Sequence, residues 1–308
     1  MIVYREVSSL ARDLGVDLKT LYALSNNLPA HYHAVSIPKP GGGTRRISVP
    51  DEALKRVQRA IARRILAYFP VSPYATAYRP GGGPVRNGAF HVGRREILKL
   101  DIRRFFDSVR YSAVKDAAFP PEVFSEPLRV LLTLLCYYND ALPQGAPTSP
   151  AVANLVLRDF DLQVGDWCRR RKIVYSRYCD DLIFSSDEGL AGTAEFVAAR
   201  LRPMGLFLHE KKTVLLPAGR RQRVTGLVVN RRVNLPAEER RKLRQELYYC
   251  KKFGVADHLR KTGSPLTPEA YLDSLLGRMS WLLQADPENE AARRDRQWLL
   301  DQRRALHA

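Results

Sequence analysis

The stretch Tyr178-Cys179-Asp180-Asp181 constrains this chain more than any other. Ile173-Val174-Tyr175-Ser176-Arg177 precedes it and Leu182-Ile183-Phe184-Ser185 follows. Both flanks are rich in β-branched, aromatic and aliphatic residues, a composition that suits strands. The pattern predicts a hairpin with two adjacent carboxylates at its turn. Adjacent carboxylates repel, each making the other harder to ionise. A cation relieves that repulsion, and Mg²⁺, a hard ion that shares its oxygen shell with phosphates, suits aspartate. Taken alone, the tetrapeptide fits an ordinary surface turn equally well, so the rest of the chain has to decide.

Charge narrows the choice. The 308 residues carry a formal net charge of +18 and a pI of about 10.0. That balance calls for a polyanionic partner, nucleic acid first. No long uncharged apolar run is present, and Met1-Ile2-Val3-Tyr4-Arg5-Glu6 does not open a signal peptide, so no membrane partner is expected. Cys136, Cys168, Cys179 and Cys250 form no C-x-x-C pair and no zinc spacing; scattered thiols fit a reducing cytoplasm.

Residues 1–30 read as two short helices around Gly15, either a helix-turn-helix or a plain αα-hairpin packed on a larger body. His31 to Pro50 reads as a hairpin with a Pro/Gly tip, and Lys39, Arg45 and Arg46 give that tip the charge to close over a triphosphate. A helix with Leu54, Val57, Ile61, Ile65 and Leu66 inward follows. Ile97 to Ile102 is an apolar strand ending at Asp101, ahead of Phe105-Phe106. Residues 112–140 read as helices with Leu128, Leu131, Leu132 and Leu135 on one face. Leu142 to Pro150 opens a long helix from Ala151 to Arg169, with Ser149 as cap, Pro150 at the first helical position, and Val152, Leu155, Val156 and Leu162 buried. Ala191 to Arg202 is an amphipathic helix, Leu206 to Leu215 a pair of short strands and Val224 to Asn230 a further strand. From Pro236 onward the chain is helical and charged.

A strand ending at Asp101, a turn bearing Asp180 and Asp181, a Gly-Pro turn with Gln144 and a basic hairpin with Lys39 and Arg45 make up the inventory for nucleotidyl transfer by two metal ions. The order of these motifs resembles that of a reverse transcriptase, and more closely a bacterial retron reverse transcriptase. The resemblance rests on Ile37 to Ile47, on Leu100-Asp101-Ile102-Arg103-Arg104-Phe105-Phe106, on Leu142-Pro143-Gln144-Gly145-Ala146-Pro147-Thr148-Ser149-Pro150, on the paired-aspartate motif and on Lys212-Thr213, spanning roughly residues 30–285. Val224-Thr225-Gly226 and the spacing of Asn87 and His91 resemble two retron signatures, although Gly88 stands where the second has alanine. Cys179 likewise replaces the usual alanine of the aspartate motif.

The resemblance implies an α+β right-hand polymerase: an N-terminal helical segment over 1–30, fingers over 31–95, a palm of antiparallel sheet backed by helices over 96–232 with a finger-side helical insertion at about 112–140, and a helical thumb over 233–308. It implies that Asp101, Asp180 and Asp181, with the Ile102 carbonyl, hold two Mg²⁺ ions, with Mn²⁺ as a substitute. Phe106 would be the steric gate against a 2′-OH, Gln144 would contact the incoming dNTP, Lys39 and Arg45 its phosphates, and Lys212, or Lys211 in its stead, would protonate pyrophosphate. Asn87, His91 and Thr225 would contact RNA, or else make structural hydrogen bonds. The implied partners are a cognate structured non-coding RNA, its branched DNA product and a separate effector protein in anti-phage defence. Two other readings stand beside this one: a reverse transcriptase of the group II intron or diversity-generating kind, and a non-catalytic RNA-binding protein on a polymerase fold.

Overall fold

A computed structural model describes residues 3–38 and 42–306. In chain order its elements are α1 (Val7–Leu14), α2 (Leu18–Asn26), β1 (Tyr32–Pro38), β2 (Thr44–Pro50), α3 (Glu52–Arg64), α4 (Pro84–Ala89) and β3 (Glu96–Asp101). There follow α5 (Phe105–Ser108), α6 (Tyr111–Ala118), α7 (Glu126–Cys136), α8 (Ser149–Val156), α9 (Arg158–Arg170), β4 (Val174–Tyr178), β5 (Asp181–Ser186) and α10 (Thr193–Leu201). The remainder is β6 (Val214–Pro217), β7 (Arg223–Val224), β8 (Leu227–Val228), α11 (Ala237–Phe253), α12 (Val255–Thr262), α13 (Pro268–Ala285) and α14 (Glu290–Ala305).

Two compact units result, one of Met1–Gly83 with Glu96–Leu215, the other of Pro84–Arg95 with Leu216–Ala308. The larger unit contains the expected antiparallel sheet backed by helices. Its strand order is β4-β5-β3-β6, and β3 and β4 both run antiparallel to β5. Leu182, Ile183 and Phe184 of β5 are wholly buried, as are Ile97 and Leu100 of β3 or nearly so. Helices α6, α8 and α9 supply Val114, Val152, Phe160 and Val164 to the same core. The basic hairpin pairs β1 with β2 from Tyr32↔Pro50 to Pro38↔Thr44. Asp51 then starts α3, its side chain accepting from the Leu54 N–H.

In α1 and α2, Leu10, Leu14, Leu21 and Leu24 are buried in this core, with Gly15 in the left-handed conformation that ends α1. The two helices are thus packed on the larger unit. The smaller unit has its own core, in which Leu243 and Leu247 of α11 meet Leu272, Leu275, Met279 and Leu282 of α13 and Leu299 of α14.

Three local expectations change. The long helix over 151–169 is two helices, interrupted at Leu157, and the redirected α9 leaves Leu162 36% exposed. Thr148, not Ser149, occupies the cap position of α8; the Ser149 hydroxyl instead donates to the Pro143 carbonyl at 2.5 Å and braces the preceding loop. The run Val224 to Asn230 is not one strand but the tight hairpin β7-β8, because Thr225 and Gly226 both have positive φ, 46° and 86°. Two such residues between paired strands are what a type I′ turn requires.

Candidate active site

The β4-β5 hairpin closes at the pair Tyr178↔Asp181, leaving Cys179 and Asp180 as a two-residue turn. Cys179 has φ 59°, a left-handed backbone at the first turn position. In the other direction across the sheet, Asp181 lies directly opposite Asp101 at the end of β3. Sequence neighbours and strand register therefore bring the three carboxylates together. Backbone bonds fix the end of β3: the Asp180 carbonyl accepts from Ile102 N at 3.1 Å, the Asp101 carbonyl accepts from His209 N at 2.8 Å, and the Phe207 carbonyl accepts from Arg103 N at 2.8 Å.

These groups line one cleft of about 830 Å³, together with Arg45, Ile102, Phe106, Gln144 and Lys212. All of the sequence-nominated catalytic and nucleotide-contacting residues are thus gathered, except Lys39, which lies outside the described residues. Phe105 is buried, whereas Phe106 is half-buried with its ring at the cleft, which separates the core phenylalanine from the site phenylalanine. The Gln144 loop is pressed against β2, Gly145 N donating to the Ser48 carbonyl at 3.2 Å. A Cβ at Gly145 would stand 2.5 Å from that carbonyl oxygen, so only glycine fits.

The electrostatics show crowded negative charge. Burial raises the Asp181 pKa, and the charges of Asp180 and Asp101 raise it further against the opposing Lys99 and Lys212. The Lys212 ammonium sits 2.8 Å from Asp101 Oδ1. Among the described residues no three His, Cys, Asp or Glu side chains are already closed around a point. Burial and the Asp180 charge push the Cys179 thiol up to about 11, so it stays protonated and is no nucleophile.

The sequence profile of the family "Reverse transcriptase (RNA-dependent DNA polymerase)" matches residues 37–229. The retron Mx65 reverse transcriptase of Myxococcus xanthus is 32% identical over 95% of this chain and 72% of its own length. The chain belongs to the retron reverse transcriptases. Two Escherichia coli relatives agree: the retron Ec86 reverse transcriptase is 26% identical over 84% of this chain and 82% of its own, and the retron Ec83 enzyme 30% identical over 74% and 80%. Two solved telomerases, from Candida tropicalis and Candida albicans, align with TM-scores of 0.45 and 0.48 at 14% and 12% identity, covering 67% and 82% of this chain and 55% and 56% of their own. This chain thus spans just over half of either telomerase.

As a retron reverse transcriptase, the protein is an RNA-directed DNA polymerase, and divalent metal ions are general to its family. Its family-signature residues sit in the smaller unit. Asn87 and His91, on and just after α4, are fully buried. Thr225 donates its hydroxyl to the Pro84 carbonyl at 3.0 Å, tying the β7-β8 turn to the start of α4. A Cβ at Gly88 would come within 3.3 Å of Val229 Cγ1, a tight contact with a side-chain methyl.

Several cleft residues were not nominated from sequence: Tyr78, Arg104, Asp107 and His209. Tyr78 has φ 56° and donates its hydroxyl to Cys179 Sγ at 3.4 Å, a contact no motif announces. Also unforeseen is the wholly buried pair Arg177–Asp161, 2.7 Å apart beneath the aspartate turn. Its one sequence signal is an arginine inside an otherwise apolar strand.

Proposed function

We propose that this reverse transcriptase copies a cognate structured non-coding RNA into branched multicopy single-stranded DNA by two-metal-ion nucleotidyl transfer. The observation that carries the reading is the register Asp101↔Asp181 with Asp180 on the adjoining turn, in one cleft with Arg45, Phe106, Gln144 and Lys212. Asp101, Asp180, Asp181 and the Ile102 carbonyl would hold two Mg²⁺ ions, or Mn²⁺ in their place, since every donor is a hard oxygen. Bound there, the ions would lower the pKa of the attacking hydroxyl and neutralise the triphosphate.

The chain's own residues do the rest. Arg45, and Lys39 with it, bind the phosphates of the incoming dNTP through charge-assisted hydrogen bonds. Gln144 holds its base or sugar from the loop braced by Ser149. The Phe106 ring closes the space a 2′-OH would need. Lys212 gives its proton to the departing pyrophosphate. The strongly basic chain keeps the RNA through phosphates, shape and 2′-OH groups. Asn87, His91 and Thr225 contribute to RNA contact by fixing the backbone that presents it. Fingers over 31–95, a palm over 96–232 and a thumb over 233–308 complete the assignment, as does a cytoplasmic location with a separate effector protein in anti-phage defence. In the described residues no helix is long and apolar enough to cross a membrane.

The test is to purify the full chain with its co-bound RNA and supply dNTPs and Mg²⁺. The expected product is DNA joined to a guanosine 2′-OH of that RNA and released by debranching enzyme. An active chain that yields only linear, unbranched product argues for a reverse transcriptase of the intron or diversity-generating kind. RNA binding with no synthesis, unchanged by Asp180→Asn, argues for the non-catalytic reading.

A further inference from the structure

Arg177 is wholly buried, and its guanidinium makes five hydrogen bonds under the aspartate turn. Nε donates to both Asp161 oxygens at 2.9 and 3.1 Å, and Nη2 to Asp161 Oδ2 at 2.7 Å. Nη1 reaches Asn154 Oδ1 at 3.1 Å and the Cys179 carbonyl at 3.0 Å. One planar cation thereby joins α8, through Asn154, and α9, through Asp161, to the turn itself. The surroundings hold it in place: the Tyr175 hydroxyl donates to Asp161 Oδ1 at 2.7 Å, Arg177 N to the Tyr74 carbonyl at 2.8 Å, and Thr76 N and Oγ1 to the Arg177 carbonyl at 2.8 Å.

A buried ion pair is a poor source of net stability, because desolvation offsets much of its attraction and an apolar pair of similar volume often does as well. Its geometry suggests another use. A peptide unit is planar, so gripping the Cys179 carbonyl also fixes the Asp180 N–H of the same plane. The next plane, holding the Asp180 carbonyl, is fixed from the other side by Ile102 N at 3.1 Å. Both peptide planes flanking Asp180 are pinned, and with them the direction of its Cα–Cβ bond, from which the carboxylate projects. Cys179 meanwhile keeps a left-handed backbone that is strained for a non-glycine residue and needs such restraint to persist.

We propose that Arg177, oriented by Asp161, is a positioning residue for Asp180, presenting that carboxylate to the catalytic metal ions through the Cys179 carbonyl. The inference rests on the metal-dependent reading above and deepens it. Lysine cannot replace the arginine here, since one ammonium on a flexible stem cannot span Asp161, Asn154 and the turn carbonyl together.

The experiment uses the full chain and three variants: Arg177→Lys, the apolar double substitution Asp161→Leu with Arg177→Met, and Tyr175→Phe. Mn²⁺ binding is read from the EPR signal of the free ion, folding from the thermal midpoint, and single-turnover dNTP incorporation gives a rate and an apparent dNTP affinity. Arg177→Lys and the double substitution are expected to fold, to weaken Mn²⁺ binding roughly 10–100-fold, as loss of outer-sphere support does, and to slow incorporation with little change in dNTP affinity. Tyr175→Phe removes a bond to Asp161 but leaves the grip on Cys179, so its Mn²⁺ binding should match wild type.

Wild-type Mn²⁺ binding in a folded Arg177→Lys or double variant overturns the inference while leaving the polymerase reading intact. Loss of folding in both assigns the network to the fold alone and overturns it too. A wild-type chain that binds no Mn²⁺ and makes no DNA overturns both readings.

Discussion

Lys212 and Asp101 meet at 2.8 Å although they lie 111 positions apart, and theirs is the one ion pair that Asp101, Asp180 or Asp181 makes among the described residues. Lys212 is 56% exposed while Asp101 is nearly buried, so the lysine reaches in from the rim. Its ammonium partly neutralises the carboxylates, and from the same rim it can turn to the pyrophosphate. Lys212→Met should lower the incorporation rate by roughly 10²–10⁴-fold, the usual contribution of a positioned acid, with dNTP affinity much less affected. Lys211→Met should change the rate little. Presteady-state incorporation over a range of dNTP concentrations separates rate from affinity and checks both variants.

Asp181 predicts a conflict between stability and activity. Burial and then the Asp180 charge raise its pKa in the fold above its ordinary 3.8. The folded chain therefore holds this proton longer than the unfolded chain does. Stability of the metal-free protein falls as pH rises from the ordinary value through the raised one, and the loss is complete above it. Asp181→Asn removes the penalty and should stabilise the metal-free protein at pH 7 by about 1 kcal/mol, within the range of single stabilising changes at strained sites. The same variant should make no DNA. Melting curves without divalent metal, beside a primer-extension assay, test the pair of outcomes.

What could be read from the sequence followed from local pattern. Asp101, Asp180 and Asp181 stood out because acidic residues interrupt apolar strands, and the strand periodicity of 97–102 and 173–185 survives in β3, β4 and β5. The helical faces of α3, α7 and α13 were legible for the same reason. The Thr225-Gly226 turn was hidden inside an apolar run, since threonine favours strands and nothing local signals its positive φ. Nothing local pairs Arg177 with Asp161; only the packing of α9 on β4 makes them a buried pair. Asn87 and His91 were noticed through family likeness, which gives their spacing but not their burial.

His91 predicts acid sensitivity in the smaller unit. Burial, with the Arg94 charge beside it, lowers its pKa from 6.5 to about 3. The unfolded chain takes up this proton near pH 6.5 and the fold refuses it until about 3. Stability therefore rises with pH across that window and is lost as pH falls through it, at up to roughly 1.4 kcal/mol for each pH unit. His91→Gln cannot take up the proton, so its stability should fall less steeply between pH 6.5 and 4 than that of wild type. Urea unfolding of the two proteins at stepped pH gives the comparison.

Phe106 is expected to set sugar discrimination. Its ring is half-buried at the cleft beside Phe105, and its carbonyl accepts from Leu142 N at 3.0 Å, so the backbone under the ring is fixed to the Gln144 loop. Phe106→Ala opens room for a 2′-OH and should reduce the preference for dNTPs over rNTPs by about 10²-fold. Phe105→Leu, a change in the core, should lower the thermal midpoint and leave that preference alone. Competing dNTP and rNTP incorporation on one template measures it.

Gly145 ties the nucleotide loop to the basic hairpin, and its substitution should show how closely the two must approach. An added Cβ would meet the Ser48 carbonyl oxygen at 2.5 Å and Val49 Cα at 3.0 Å. Both are backbone atoms, which cannot rotate aside as a side chain would. Gly145→Ala must therefore push β2 and the loop apart, stretching the Gly145 N to Ser48 carbonyl bond, at about 1–3 kcal/mol for such overpacking. Arg45 on β2 and Gln144 on the loop line the same cleft, so the separation moves one nucleotide contact away from the other. The variant should melt earlier and bind dNTPs more weakly, while Mn²⁺ binding at the aspartates, whose strands do not include Gly145, stays near wild type. Equal loss of Mn²⁺ and dNTP binding would instead mean that the loop supports the whole cleft.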